Sequence, residues 1–234
     1  MNNIIALAIS FGLALAWLRI NDFFAHRGWV SSDLSRKIIH IGTGPIFVLT
    51  WLLFNNALEA RFLAALIPLA ITAQFALVGL GLWRDPSAVT AMSRTGDRRE
   101  ILRGPLYYGI VFVLLTVLFW KDSPIGIIAL MLLCGGDGLA DVIGKRMGSK
   151  RLPWSPQKSW AGTLAMFAGG WVLSVFVLAV FVVAGVFQGS LIDYIPAVTI
   201  IALVATVVES LPLKDLDNLT VPAVAVVLGY IFFR

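Results

Sequence analysis

The sequence predicts an all-α, polytopic transmembrane helix bundle of about eight spans, and three observations lead there. The first is composition: 59% of the 234 residues are hydrophobic and only 13% are charged, where a soluble domain carries about 25% charged residues. A chain of this length cannot bury so much apolar surface in one aqueous core, so lipid must cover part of it. The second is length. Eight apolar runs lie close to the roughly 17–25 residues that cross a bilayer as a helix. The third is charge. With eight spans, the odd-numbered loops hold 15 of the 18 Lys and Arg residues, and the other side holds only Arg61, Lys121 and Arg234. An asymmetry of that size is the positive-inside pattern. It places the odd loops in the cytoplasm and both termini on the opposite face.

In chain order the runs cover residues 4–18, 38–54, 62–83, 105–120, 124–143, 160–187, 194–208 and 221–233. The first, fourth, seventh and eighth are short, and seven spans remain if one run is re-entrant. The first run lacks the basic start and cleavage site of a signal peptide and reads as a retained span. Trp17, Trp83, Tyr107, Trp120, Trp160, Tyr194 and Tyr230 sit near run ends, as interfacial anchors do. The longest polar connection, residues 84–104, is too short for a soluble domain, so residues 1–234 read as one integral membrane domain. The net charge of +5 comes from short loops between apolar runs. That argues against a nucleic-acid face. The single cysteine, Cys134, lies in an apolar run and reads as a small buried filler rather than a low-pKa nucleophile.

Four polar clusters fall on the basic side. In Ser35-Arg36-Lys37-Ile38-Ile39-His40, Arg36 and His40 are four apart and share a helical face. His40 can serve as a general base or phosphate contact, or simply lie at the interface beside a basic flank. Arg103 precedes Gly104-Pro105, a helix start. It can bind an anion there or snorkel to the surface.

The third cluster is the richest. Asp137 and Asp141 are four apart at the end of an apolar run, amid Gly135, Gly136, Gly138, Gly144 and Gly148 and followed by Lys145, Arg146, Lys150, Arg151 and Lys158. Carboxylates so placed are costly unless functional. A pair on one face suits Mg²⁺, an ion held by oxygen ligands shared with substrate phosphates. The lysines supply charge for a polyphosphate, and the glycines allow close backbone approach. There is no Walker A loop, and no HExxH or Cys/His cluster supports zinc. The fourth cluster runs from Glu209 through Asp215, Asp217, Asn218 and Thr220 to Pro222. Asp217 and Asn218 can cap the last helix, complete a metal site or hold a substrate hydroxyl, and Glu209 closes an apolar run.

These motifs resemble the CTP-dependent polyprenol kinases, the family of phytol, farnesol and dolichol kinases. The resemblance covers roughly residues 34–229. It rests on Gly136-Asp137-x-x-Ala140-x-x-x-Gly144-x-x-x-Gly148, on Lys158-Ser159-x-x-Gly162-Thr163, and on Glu209 with Asp217-Asn218-Leu219-Thr220-Val221-Pro222. Ser159 stands where Thr is common and Ala161 where Glu is common. The resemblance implies transfer of the γ-phosphoryl group of CTP to a long-chain isoprenoid alcohol at a cytoplasm-facing site. Asp137 and Asp141 would then hold Mg²⁺ on the nucleotide. Arg36, Lys37, Arg103, Lys145, Lys150 and Lys158 would meet phosphate. Gly136, Gly138, Gly144, Gly148, Ser159, Gly162 and Thr163 would form the nucleotide cradle. His40, Glu209, Asp217 and Asn218 would orient or deprotonate the alcohol. The phosphatidate cytidylyltransferases are similar through the middle cluster and Ser155-Pro156-x-Lys158-Ser159-Trp160, but their C-terminal signature is missing. They are the alternative enzyme reading. A transporter is the non-enzymatic one, although the chain has no paired interrupted helices in matching halves.

Overall fold

The computed structural model describes residues 1–93, 95–213 and 216–233. Arg94, Lys214, Asp215 and Arg234 lie outside the described residues, so the parts of the charge count and of the fourth cluster that fall on them are not placed here. Each of the eight apolar runs folds as helix. They are α1 (Asn3–His26), α2 (Ser32–Thr50) and α3 (Leu58–Leu80), then, beyond the short α4 (Pro86–Met92), α5 (Gly104–Phe119). The fifth run is α6 (Pro124–Met131), a π-helical turn (Leu132–Asp137) and α7 (Gly138–Met147) in one continuous stretch. The last three are α8 (Trp160–Val183), α9 (Leu191–Glu209) and α10 (Asp217–Phe232).

Among the described residues, six helical stretches are long and apolar enough to cross a membrane: α1, Leu58–Leu80, Arg98–Phe119, Pro124–Met147, α8 and α9. The chain is therefore an integral membrane protein built as a helical bundle. α2 and α10 stand outside that set. α2 opens on Asp33, Arg36 and Lys37, and α10 has only 16 residues. Helix α1 outruns its apolar stretch. No Gly or Pro lies between Gly12 and Gly28, and Asn21 bonds back to the carbonyl of Trp17 at 2.8 Å, so the helix continues through Arg19 to His26.

One departure from an all-helical chain is a small antiparallel hairpin, β1 (Arg151–Leu152) with β2 (Ser155–Ser159). Trp154 at its turn packs edge-on against Trp160, with ring centroids 5.6 Å apart. Another concerns the anchors. Trp120 is buried against Trp51 at 5.0 Å between rings, where an interfacial residue was expected. Trp83, Trp160 and Tyr230 are exposed, as anchors would be.

The stretch Pro124–Met147 is the central post of the bundle. Every residue from Ile127 to Cys134 is fully buried. Around it, large apolar side chains such as Phe62, Leu66, Phe176, Val183 and Val207 point outward. A soluble monomer does not expose apolar surface on that scale, and lipid is its natural cover. Helix α8 lies close against the post, because a Cβ on Gly169 would stand 2.7 Å from the Gly135 carbonyl. Cys134 is buried as a filler, with its sulfur 3.1 Å from the Tyr108 hydroxyl. The polar clusters of the sequence gather where the post ends.

Candidate active site

A cavity of about 720 Å³ opens at that end of the bundle. Lys37 enters it from α2, and Asp137, Asp141, Gly144 and Lys145 from the central post. The hairpin supplies Arg151, Gln157 and Lys158. Glu209, the last residue of α9, faces it with Pro212 and Leu213.

Three helices begin at its wall: α5 at Gly104, α8 beside Ser159, Gly162 and Thr163, and α10 at Asp217 and Asn218. A helix start carries unpaired N–H groups and the positive end of the peptide dipoles, which together attract phosphate. Ser159 is the N-cap of α8; its hydroxyl accepts the Gly162 N–H at 3.1 Å. Asp217 and Asn218 are the first residues inside α10 rather than its cap, which is Leu216. The amide Nδ2 of Asn218 instead donates to the Gly104 carbonyl at 3.4 Å and ties α10 to α5. Among the described residues, its buried Oδ1 has no hydrogen-bond partner, and neither has the hydroxyl of Thr163.

The carboxylates divide into two groups. Asp141 is an ion-pair anchor, with Lys37 at 3.0 Å and Lys145 at 2.9 Å. Asp33 extends this group to Lys145 at 3.5 Å and to Arg36 at 2.6 Å. Asp137 faces other acids. One oxygen each from Asp137, Glu209 and Asp217 lies within 4.8 Å of the others. Lys158 reaches into this trio, 2.6 Å from Glu209 Oε1 and 3.9 Å from Asp217, and it also donates to the Glu209 backbone carbonyl. His40 stands behind Asp137, with Nε2 3.6 Å from its Oδ2 and the ring 4.5 Å from that of Tyr108.

The trio fits a small divalent cation. Oxygen ligands held about 2.0–2.1 Å from Mg²⁺ stand about 3 Å apart when adjacent and about 4.2 Å when opposite, so three carboxylate oxygens already within 4.8 Å of one another would close in by side-chain rotation to share the ion. They are hard, anionic oxygen donors of the kind such an ion prefers. The two carboxylates paired by sequence spacing thus have different company: Asp137 joins Glu209 and Asp217, while Asp141 binds lysines.

Several residues named from the sequence lie outside the cavity wall. Arg36 turns to Asp33. Arg103 and Lys150 are exposed. Gly136 and Gly138 are packing contacts, because an added Cβ would meet Met166 in one case and Ile41 and His40 in the other. Gly148 lies against the Gly144 carbonyl and Ser159. His40 reaches the site only through Asp137. In the other direction, Gln157, the Gly104 backbone and Asp33 were missed. A polar side chain in a hairpin, a carbonyl and a surface acid carry no motif of their own.

Comparison with known proteins settles the family. A wheat (Triticum aestivum) protein named "Probable phytol kinase, chloroplastic" is 40% identical over 222 residues, which is 94% of this chain and 74% of the wheat protein. "Phytol kinase 1, chloroplastic" of Arabidopsis thaliana is 37% identical over 224 residues, 95% of this chain and 74% of its own length. The chain belongs to the phytol kinase family. A further member, "Probable phytol kinase 2, chloroplastic" of rice (Oryza sativa subsp. japonica), is 39% identical over 228 residues, 97% of this chain and 75% of the relative. No family model matches the chain, and no solved structure matches it. The aligned region contains every residue of the cavity wall, so the phytol kinase relatives align across the whole site.

Proposed function

We propose that this protein is a kinase that transfers the γ-phosphoryl group of CTP to a long-chain isoprenoid alcohol such as phytol, at the membrane interface. The observation that carries the reading is the meeting, in one cavity at the end of a membrane bundle, of an acidic trio and, among the described residues, four cations and three helix starts, in a chain of the phytol kinase family. Phosphoryl transfer asks a protein mainly to position the reactants and neutralise charge.

In this reading the triphosphate lies along the starts of α8 and α5. Lys37, Lys145 and Arg151 face its oxygens, and the buried, unpartnered hydroxyl of Thr163 donates to them. Asp137, Glu209 and Asp217 are the residues that would hold Mg²⁺, and the ion would offset charge on the transferred group. The hydroxyl of the alcohol donates first to the orphan Oδ1 of Asn218 and then turns to the Asp217 carboxylate oxygen left off the metal, which takes the proton. The alcohol oxygen bonds to the γ-phosphorus as the bond to the β-phosphate bridging oxygen breaks, and CDP leaves. His40 orients Asp137. The isoprenoid tail remains among the helices.

Label transfer tests this. With γ-labelled CTP and phytol, label should enter an organic-extractable product, and α-labelled CTP should leave its label in water. Entry of α-label into lipid when phosphatidate is supplied would make the protein a cytidylyltransferase. No transfer from either label to any lipid would favour a non-enzymatic role. Within the same reading the cavity faces the cytoplasm and the termini do not. With Cys134 replaced, an impermeant thiol reagent applied to intact cells should label a cysteine at Asn2 and spare one at Ser149. Labelling at 149 would reverse the orientation.

A further inference from the structure

Lys158 holds an unusual position for a phosphate-binding lysine. Its ammonium lies at the Glu209–Asp217 side of the acidic trio, bonded to the Glu209 carboxylate at 2.6 Å and to the Glu209 carbonyl, and 3.9 Å from Asp217. Both ends of the pair are shielded: the Lys158 side chain is 18% exposed and that of Glu209 is 7%. Three carboxylates so close repel one another strongly away from bulk water. A cation among them is close to a requirement of the fold. The carbonyl that Lys158 meets belongs to the last residue of α9, where carbonyls lack helical partners and the dipole is negative. The lysine comes from β2, a strand of the hairpin outside the bundle, on a long flexible stem. It can leave without moving a helix.

We propose that Lys158 is a built-in counter-ion that occupies the metal position until nucleotide arrives, and that it then exchanges places with the metal. The inference rests on the reading that Asp137, Glu209 and Asp217 hold Mg²⁺. An ammonium and a divalent ion cannot share a trio only 4.8 Å across, so each excludes the other. Incoming phosphate offers Lys158 a new anionic partner in the same cavity, and its departure uncovers the carboxylates and the Glu209 carbonyl for the metal. The metal therefore enters with the nucleotide rather than before it, and the carboxylates keep a cation beside them at every stage.

The test is binding of Mn²⁺ to the purified protein in detergent, without nucleotide, read by electron paramagnetic resonance. Wild type should bind Mn²⁺ weakly. Lys158→Gln should bind it at least tenfold more tightly, and Lys158→Met, which keeps the stem, serves if the Gln variant does not fold. Lys158→Arg should stay as weak as wild type. Adding Asp137→Asn to Lys158→Gln should remove the gain. Equal, tight binding by wild type and Lys158→Gln, lost in Asp137→Asn, would overturn the exchange and leave the metal site standing. A gain in Lys158→Gln that survives Asp137→Asn, or no binding by any form, would overturn the metal reading and the exchange with it.

Discussion

Asp137 and Asp141 are one helical turn apart on the same post, yet they live in opposite surroundings. Asp141 has a lysine on either side and a salt-bridged neighbour in Asp33. Asp137 has two carboxylates beside it, which Lys158 holds from the far side, and a histidine behind. The first arrangement holds cations in place for an anion. The second concentrates negative charge and demands a cation. The difference teaches that spacing on a helix decides which residues share a face, whereas the elements packed against that face decide what each residue can do.

That contrast can be broken by substitution. The largest effect should come from Asp137→Asn. Loss of an outer-shell partner alone costs about 10–100-fold in metal affinity or activity, so loss of a ligand should lower kcat at least that much, with little rescue by added nucleotide. Asp141→Asn should raise the KM for CTP by roughly tenfold and spare kcat more, because it loosens Lys37 and Lys145 without touching the trio. Steady-state kinetics across a Mg²⁺ titration distinguishes the two. Equal loss of kcat in both variants, with the same metal dependence, would make the two carboxylates a single site.

A smaller effect sharpens the acidic half. Asn218→Ala removes the orphan acceptor and the tie to Gly104. One hydrogen bond lost to a substrate hydroxyl is worth about 1 kcal/mol, so kcat/KM for the alcohol should fall roughly fivefold, with the KM for CTP nearly unchanged. A rise in the KM for CTP alone would move Asn218 to the nucleotide side. The smallest effect concerns a cation outside the wall. Lys150→Ala should leave kcat/KM for CTP within about twofold of wild type, as substitutions away from specific contacts do. A tenfold loss there would mean that the hairpin closes over nucleotide.

The membrane bundle was legible from composition and run lengths, because lipid accepts only long apolar segments with their backbone satisfied. The residue types at the site were legible too. Acids and glycines at the end of an apolar run are too costly to be incidental, and all of Asp137, Lys158, Glu209, Asp217 and Asn218 face one cavity or line its wall. Their partnerships were not. Asp137 and Asp141 look equivalent in sequence, and Glu209 lies 72 positions beyond Asp137 by residue number. Only the packing of α9 and α10 against the central post brings Glu209 and Asp217 to Asp137. Only the turn of the hairpin brings Lys158 among them. The same holds for the glycines at 136 and 138, which a linear reading assigns to nucleotide and which the tertiary structure spends on contact with α8 and α2. Apolar length and local charge act along the chain, so the sequence alone determined the bundle and the end of it that carries the chemistry. Electrostatic partnership acts across space between groups a few ångströms apart, so the choice of metal ligands, anion anchors and counter-ion belonged to the tertiary structure.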